Sequence, residues 1–239
     1  MKKLLLLLAA TLFIFSSCRY RMGKRVHGNG NITTEQRSVT GFTGVQTHGS
    51  IDIIVSQGNY KVEVESDQNL LQYIETNVEN GNLVVRYRNG VWLTDHRGAK
   101  VHVTAPLLND FEIHGSGNIT SEGKIADSNE VKLHISGSGD LRLDLDCPDI
   151  KTGTHGSGNI ILSGETRNLS TEISGSGDVR ASDLKAENVK VAVHGSGDTD
   201  VTASVSLDVS VFGSGDVRYK GSPKINTEVH GSGSIHKMD

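Results

Sequence analysis

Two cysteines, three prolines and one tryptophan in 239 residues leave few of the usual devices for fastening a fold. Cys18 and Cys147 are the whole thiol complement, so no disulfide framework staples the chain, and packing and backbone hydrogen bonds must hold it. Aromatic residues make up only 5%, which makes the 35% of hydrophobic residues mostly aliphatic. Cations are not in surplus: 24 Lys and Arg stand against 28 Asp and Glu, a net charge of −4. Nothing is left over to neutralise a phosphate backbone, which argues against nucleic acid as a partner. Disorder is also disfavoured, because a chain with this much Val, Ile and Leu can offset the entropy of ordering. What abounds is glycine, with 28 residues, a density that weakens helices and points to a backbone that turns often.

The first residues fit a secretory signal. Lys2 and Lys3 precede an apolar stretch over residues 4–15, too short to span a bilayer and of the right length for a signal core. Phe15-Ser16-Ser17-Cys18 then resembles the lipobox of bacterial lipoproteins, in which the cysteine is acylated and becomes the new N-terminus. An ordinary signal cleaved elsewhere is the competing reading. On the lipobox reading residues 1–17 are removed, Cys18 carries the lipid that makes the membrane a partner, and residues 18–26 form a tether. The mature chain then has 22 cations against 28 anions, a net charge of −6. Four cations fall within residues 19–25; near anionic headgroups each is worth about 1 kcal/mol, and in solution the segment is a plain solvated linker.

Self-similarity is the strongest signal in the chain. Gly-Ser-Gly followed by Asn, Asp or Ser begins at Gly115, Gly137, Gly156, Gly175, Gly195, Gly213 and Gly231, in steps of 22, 19, 19, 20, 18 and 18 residues. Degenerate copies lie at Gly28-Asn29-Gly30-Asn31 and Gly49-Ser50-Ile51-Asp52. Before each corner apolar residues alternate with period two, as in Val189, Val191 and Val193, and another apolar residue such as Val179 or Val217 follows it. Each repeat therefore reads as strand, corner, strand and a variable return, with glycine on both sides of the serine supplying positive φ. Eighteen to twenty residues at about 3.3 Å each make a path of roughly 60 Å, the perimeter of one coil of a β-solenoid. Propeller blades need about 40–45 residues and leucine-rich repeats a different leucine pattern; calcium-binding nonapeptide coils need a Gly-Asp element about twice as often. The expectation is an all-β, right-handed, single-stranded parallel β-helix, with an irregular N-terminal part over residues 27–110 and regular coils over residues 111–239. A separate small β-domain is the second choice for the irregular part. Within it, residues 51–55 and 61–65 read as strands and residues 70–74 as a short helix. Asn80-Gly81 reads as the turn of a hairpin.

A family resemblance now emerges. The lipobox, Phe42-Thr43-Gly44-Val45 leading to Gly49-Ser50-Ile51-Asp52-Ile53, and the stretch from Asn69-Leu70-Leu71 to Asn80-Gly81-Asn82-Leu83 occur in that order. Together with Val103-Thr104-Ala105-Pro106 and the Gly-Ser-Gly ladder, they resemble the putative auto-transporter adhesin, head GIN domain family, over nearly all of the mature chain. The resemblance implies a Bacteroidota lipoprotein with a fold similar to pectate-lyase-like β-helices, acting as a non-catalytic, adhesin-like binding or structural module. It supplies no ligand and no active site to place on numbered residues. Surface-exported lipoproteins of that phylum tend to carry acidic residues after the lipidated cysteine. The basic segment here favours an outer-membrane protein facing the periplasm over one on the cell surface.

Candidate chemistry is sparse. The residue before each corner is His114, Ser136, His155, Ser174, His194, Phe212 and His230. Coils stack at about 4.8 Å, so alternate histidines would stand about 10 Å apart, too far to share one metal ion. The residue closing each corner is Asn118, Asp140, Asn159, Asp178, Asp198, Asp216 and Ser234. The run Asp178, Asp198, Asp216 resembles a cation site or a general acid/base cluster; the competing explanation is that Asp and Asn bond local backbone amides in tight turns. Two residues further on come Arg142, Ile161, Arg180, Asp200 and Arg218; Asp200 falls between Arg180 and Arg218, so charges alternate there and read as register specification. Short returns leave little wall for a catalytic groove, so no catalytic residue, metal or cofactor is assigned; a polysaccharide lyase or hydrolase is the alternative by fold analogy alone. Trp92 is the one candidate ligand-binding residue. It would be either a sugar-stacking side chain, with a glycan or protein as ligand, or a plug over the end of the stack. Too few residues follow Gly231 for another coil, so a second copy of the chain, the irregular region or another protein is expected to cover the last one.

Overall fold

The computed structural model describes residues 24–94, 98–127 and 129–238. In chain order the strands begin with β1 (Lys24–His27), β2 (Ile32–Arg37), β3 (Gly44–Gly49), β4 (Ile51–Gln57) and β5 (Lys61–Asp67). A single 3-10 turn, Leu71–Tyr73, precedes β6 (Ile74–Glu79), β7 (Asn82–Tyr87), β8 (Val91–Thr94) and β9 (Ala99–Ala105). Then come β10 (Asp110–Gly115), β11 (Ile119–Ala126), β12 (Glu130–Gly137), β13 (Leu141–Gly156), β14 (Ile160–Gly175), β15 (Val179–Gly195) and β16 (Thr199–Gly213). The last coils are made by β17 (Val217–Lys220), β18 (Lys224–Gly231) and β19 (Ile235–Lys237). The chain is a β-solenoid: from β10 onward every strand lies parallel and in register on the equivalent strand one coil away.

Alternation sorts the side chains. Val131, Leu133 and Ile135 point inward, as do Leu169 and Ile173, then Val189, Val191 and Val193, then Leu207, Val209 and Val211, and all are buried. Each such side chain contributes about 1.5–3 kcal/mol by leaving water, which is the main term holding a chain without disulfides. Two of the threonines that replace apolar residues in this interior pair across coils, Thr152 donating its hydroxyl to Thr171 at 2.8 Å.

The returns differ from the expectation. They are extended rather than loop-like, so that β13 to β16 are continuous bent strands of 15 to 17 residues. Unequal repeat lengths are absorbed by bulges, at Thr120/Lys124, at Ile161/Ser163 and in the segments around Ala181/Lys185 and Ala186/Asn188.

The corners also work in two ways rather than one. The first glycine of each has positive φ, as at Gly175 (143°) and Gly195 (147°), whereas the second glycine does not. A Cβ on Gly197 would overlap the Gly177 carbonyl oxygen directly above it, so the second glycine is there for the close approach of two coils.

At the N-terminal end the order of coils departs from the order of sequence. β3 and β4 stack on β10 and β11, and β7 and β9 form the level beyond them. Antiparallel strands close that level: β6 on β7, β5 on β9 and β2 on β5. Asn80 (φ 52°) and Gly81 (φ 86°) make the β6–β7 hairpin turn. The helix expected over residues 70–74 is reduced to the 3-10 turn, because Ile74 is already paired with Tyr87 and no further turn can form. β1 stands outside this sheet, paired with β8 alone.

Candidate functional site

The carboxylates of the corners are tied to one another's coils by hydrogen bonds. Asp52, Asn118, Asp140, Asn159, Asp178, Asp198, Asp216 and Ser234 lie in one column. Each Oδ1 from Asp52 to Asp216 accepts the backbone N–H of the next residue in that column, at 2.9–3.2 Å. The bonds reach the coil above rather than the local amides expected from turn chemistry. Asn118 and Asn159 also donate Nδ2 to the aspartate one coil below, which sets an amide against a carboxylate at both places. Asp178 further accepts from Arg180, and Arg218 forms a two-bond pair with Asp200. Of the pairs expected in the Arg and Asp column, only Arg218–Asp200 crosses between coils; Arg180 turns to Asp178 of its own coil. At the last coil the Ser234 hydroxyl and amide both donate to Asp216 and hold its carboxyl below the ordinary range.

The imidazole column is denser than the corner pattern implies. His48 lies directly beside His114, ring centres 4.9 Å apart and nearly parallel. His134, three positions before its corner glycine Gly137, fills the gap between His114 and His155, at 6.3 and 5.1 Å. Four imidazoles thus run without a break across neighbouring coils, and the 10 Å spacing expected of alternate histidines does not separate them. Burial lowers the pKa of His48, with His114 and Arg86 adding to it, and burial lowers that of His134, with His155 adding to it. Glu112 meets His114 Nε2 at 3.0 Å. Further along, Phe212 is sandwiched between His194 and His230 at 5.2 and 5.0 Å, so only ring edges face out and no sugar can stack on it. His48 was legible as the residue before the degenerate Gly49 corner. Finding His134 required aligning the repeats on their corners and reading the third column back.

Trp92 is 65% exposed on β8 and does not plug the stack, whose N-terminal end is closed instead by β2, β5 and β6. It remains the most exposed large apolar side chain among the described residues. Cys18, the signal segment and most of the tether lie outside the described residues. The returns of the middle coils border a shallow depression of about 690 Å3, lined largely by charged groups including Asp127, Asp146, Glu165, Arg167 and Lys185. Cys147 sits at its floor with its thiol pKa pushed up to about 12 by burial and by the carboxylates of Asp127, Asp146 and Asp149, so the thiol is inert at neutral pH. No described helix is long and apolar enough to cross a membrane, and no three metal-ligating groups converge among the described residues.

Residues 41–223 match the family model described as "Putative auto-transporter adhesin, head GIN domain". Among solved structures, the chain is similar to a putative adhesin from Bacteroides fragilis, with 23% identity and a TM-score of 0.83 over 89% of this chain and all of that one. A putative lipid binding protein from Parabacteroides distasonis gives 26% identity and a TM-score of 0.75, over 90% of this chain and all of that one. A putative adhesin from Parabacteroides merdae gives 22% and 0.73 with the same coverage. No curated protein matches.

Proposed function

The chain belongs to the family of putative auto-transporter adhesin, head GIN domains, and from that premise we propose that it is a non-catalytic, adhesin-like binding module of the cell envelope. Cys18 carries the lipid that anchors it in the outer membrane, and the basic tether favours the periplasmic side. One observation carries the non-catalytic reading: the corner carboxylates that most resemble an acid/base cluster each accept an amide from the next coil, on a body without a walled groove. What the body offers a ligand is a regularly repeating outer face of parallel strands, with Trp92 exposed on β8. A glycan or a protein surface is the class of ligand that such a face suits. A second copy of the chain is a further partner, through the last coil.

The competing class is a polysaccharide lyase or hydrolase. Incubating the purified protein with a panel of acidic and neutral glycans separates the two. Retention without product release is expected, weakened by Trp92→Ala. Turnover that disappears on changing Asp178, Asp198 or Asp216 would overturn the proposal. For location, the protein is expected in the outer-membrane fraction, with Cys18→Ala releasing it and protease treatment of intact cells leaving it whole; ready digestion would place it on the surface.

A further inference from the structure

His134 and His155 stand diagonally on neighbouring strands, His134 opposite Gly153 and His155 opposite Ser136. Their ring centres are 5.1 Å apart and their planes are inclined at 50°. Two imidazoles sharing a tetrahedral zinc ion, with Zn–N of about 2.0–2.1 Å, place their ring centres about 5.2 Å apart. The parallel sheet thus supplies the spacing of a two-imidazole chelate. The pair His48 and His114 has a similar spacing, 4.9 Å, but its planes are only 19° apart and His114 Nε2 is taken by Glu112. At His134 the position opposite carries no side chain: a Cβ on Gly153 would come within 3.1 Å of Nδ1, so any other residue there would crowd that nitrogen. The charge around the pair suits a cation. Glu112 and Asp110 face His134, and the nearby Lys132 and Lys151 are both turned to Glu130.

We propose that His134 and His155 form a surface site for a borderline divalent cation of the Zn2+ or Cu2+ class, with two imidazoles as the protein ligands and water completing the shell. Imidazole is the ligand such cations favour, and two ligands accord with the lack of any convergent set of three. The open positions of the ion face solvent, so that a donor atom of a bound glycan or protein can enter its shell. The site would then add a directed bond to a regularly repeating face.

The test is titration of the untagged full-length protein with zinc chloride, followed by calorimetry and by the imidazole NMR signals. About one equivalent is expected, with the His134 and His155 signals moving. His134→Ala and His155→Ala should each weaken binding by about tenfold or more. Gly153→Ala, whose backbone is not strained by a side chain, should weaken it by crowding Nδ1. His194→Ala should bind as the unaltered chain does, since Phe212 separates His194 from His230. Circular dichroism confirms that each variant is folded. Absence of zinc uptake, or His134→Ala and His155→Ala binding like the unaltered chain, would overturn the proposal.

Discussion

At Gly195 the backbone has φ 147°, and a Cβ there would overlap the Gly175 carbonyl oxygen one coil away. Gly195→Val therefore incurs backbone strain on the order of 1–3 kcal/mol, with the overlap in addition. His194, one residue earlier, is exposed and stacked on Phe212, and His194→Ala should cost only about 0.5 kcal/mol. Denaturant midpoints of the two variants check the contrast; equal losses would make the imidazole column structural. Asp216 gives a pH-dependent counterpart. Its carboxyl titrates below the ordinary 3.8, so in that window the folded chain binds fewer protons than the unfolded one. The stability it contributes is complete above pH 3.8 and is lost as the pH falls through its folded value. Ser234→Ala removes one of the two donors, and the Asp216 titration followed by NMR should move upward. Cys147 should resist iodoacetamide in the folded chain at pH 8 and react once unfolded. At this scale the first glycine of each corner was readable from turn chemistry alone. The second was not, because its reason lies in a coil about twenty residues away.

Among the elements, the strands around each corner were legible from period-two alternation, while the returns were not. Residues 144–149, with Pro148 among them, look like a loop in sequence. They extend as part of β13, because the neighbouring coils supply partners on both sides and Pro148 falls where the β13–β14 pairing skips a residue. The polar columns divide by the same criterion of what the next coil offers. Asn159 both donates to Asp140 and accepts the Asp178 amide. Asn159→Ala leaves that amide without a partner in a half-buried position and should cost about 1–3 kcal/mol. Arg218→Ala removes an exposed ion pair and should cost about 0.2–1 kcal/mol, a difference that thermal denaturation of the two variants would resolve.

Over the whole molecule, the solenoid class was legible from the repeat length, but the N-terminal order was not. Nothing local to residues 44–57 says that β7 and β9 will lie on one side of them and β10 and β11 on the other. The two ends are finished differently. Antiparallel strands close the first, whereas in β18 Ile225 and Val229 are each 40% exposed at positions where Leu207 and Val211 of the preceding coil are buried. Two copies of β18 paired antiparallel about Thr227 would set Ile225 against Val229 and Asn226 against Glu228 of the partner subunit. Light scattering at tens of micromolar, the order of a weak interface's dissociation constant, should therefore show a dimer that Ile225→Asp dissolves; a strict monomer would remove this association. The corners have another consequence. Because each one meets the next through the same backbone contact, every middle coil presents matching upper and lower surfaces, and length is a quantity the architecture leaves free. Excising residues 157–175 joins Gly156 to Ser176 and restores an unbroken Gly-Ser-Gly corner, so a chain one coil shorter should still fold. Such a molecule can be lengthened or trimmed by duplication and loss of single coils, reaching a nearer or farther target with no new design.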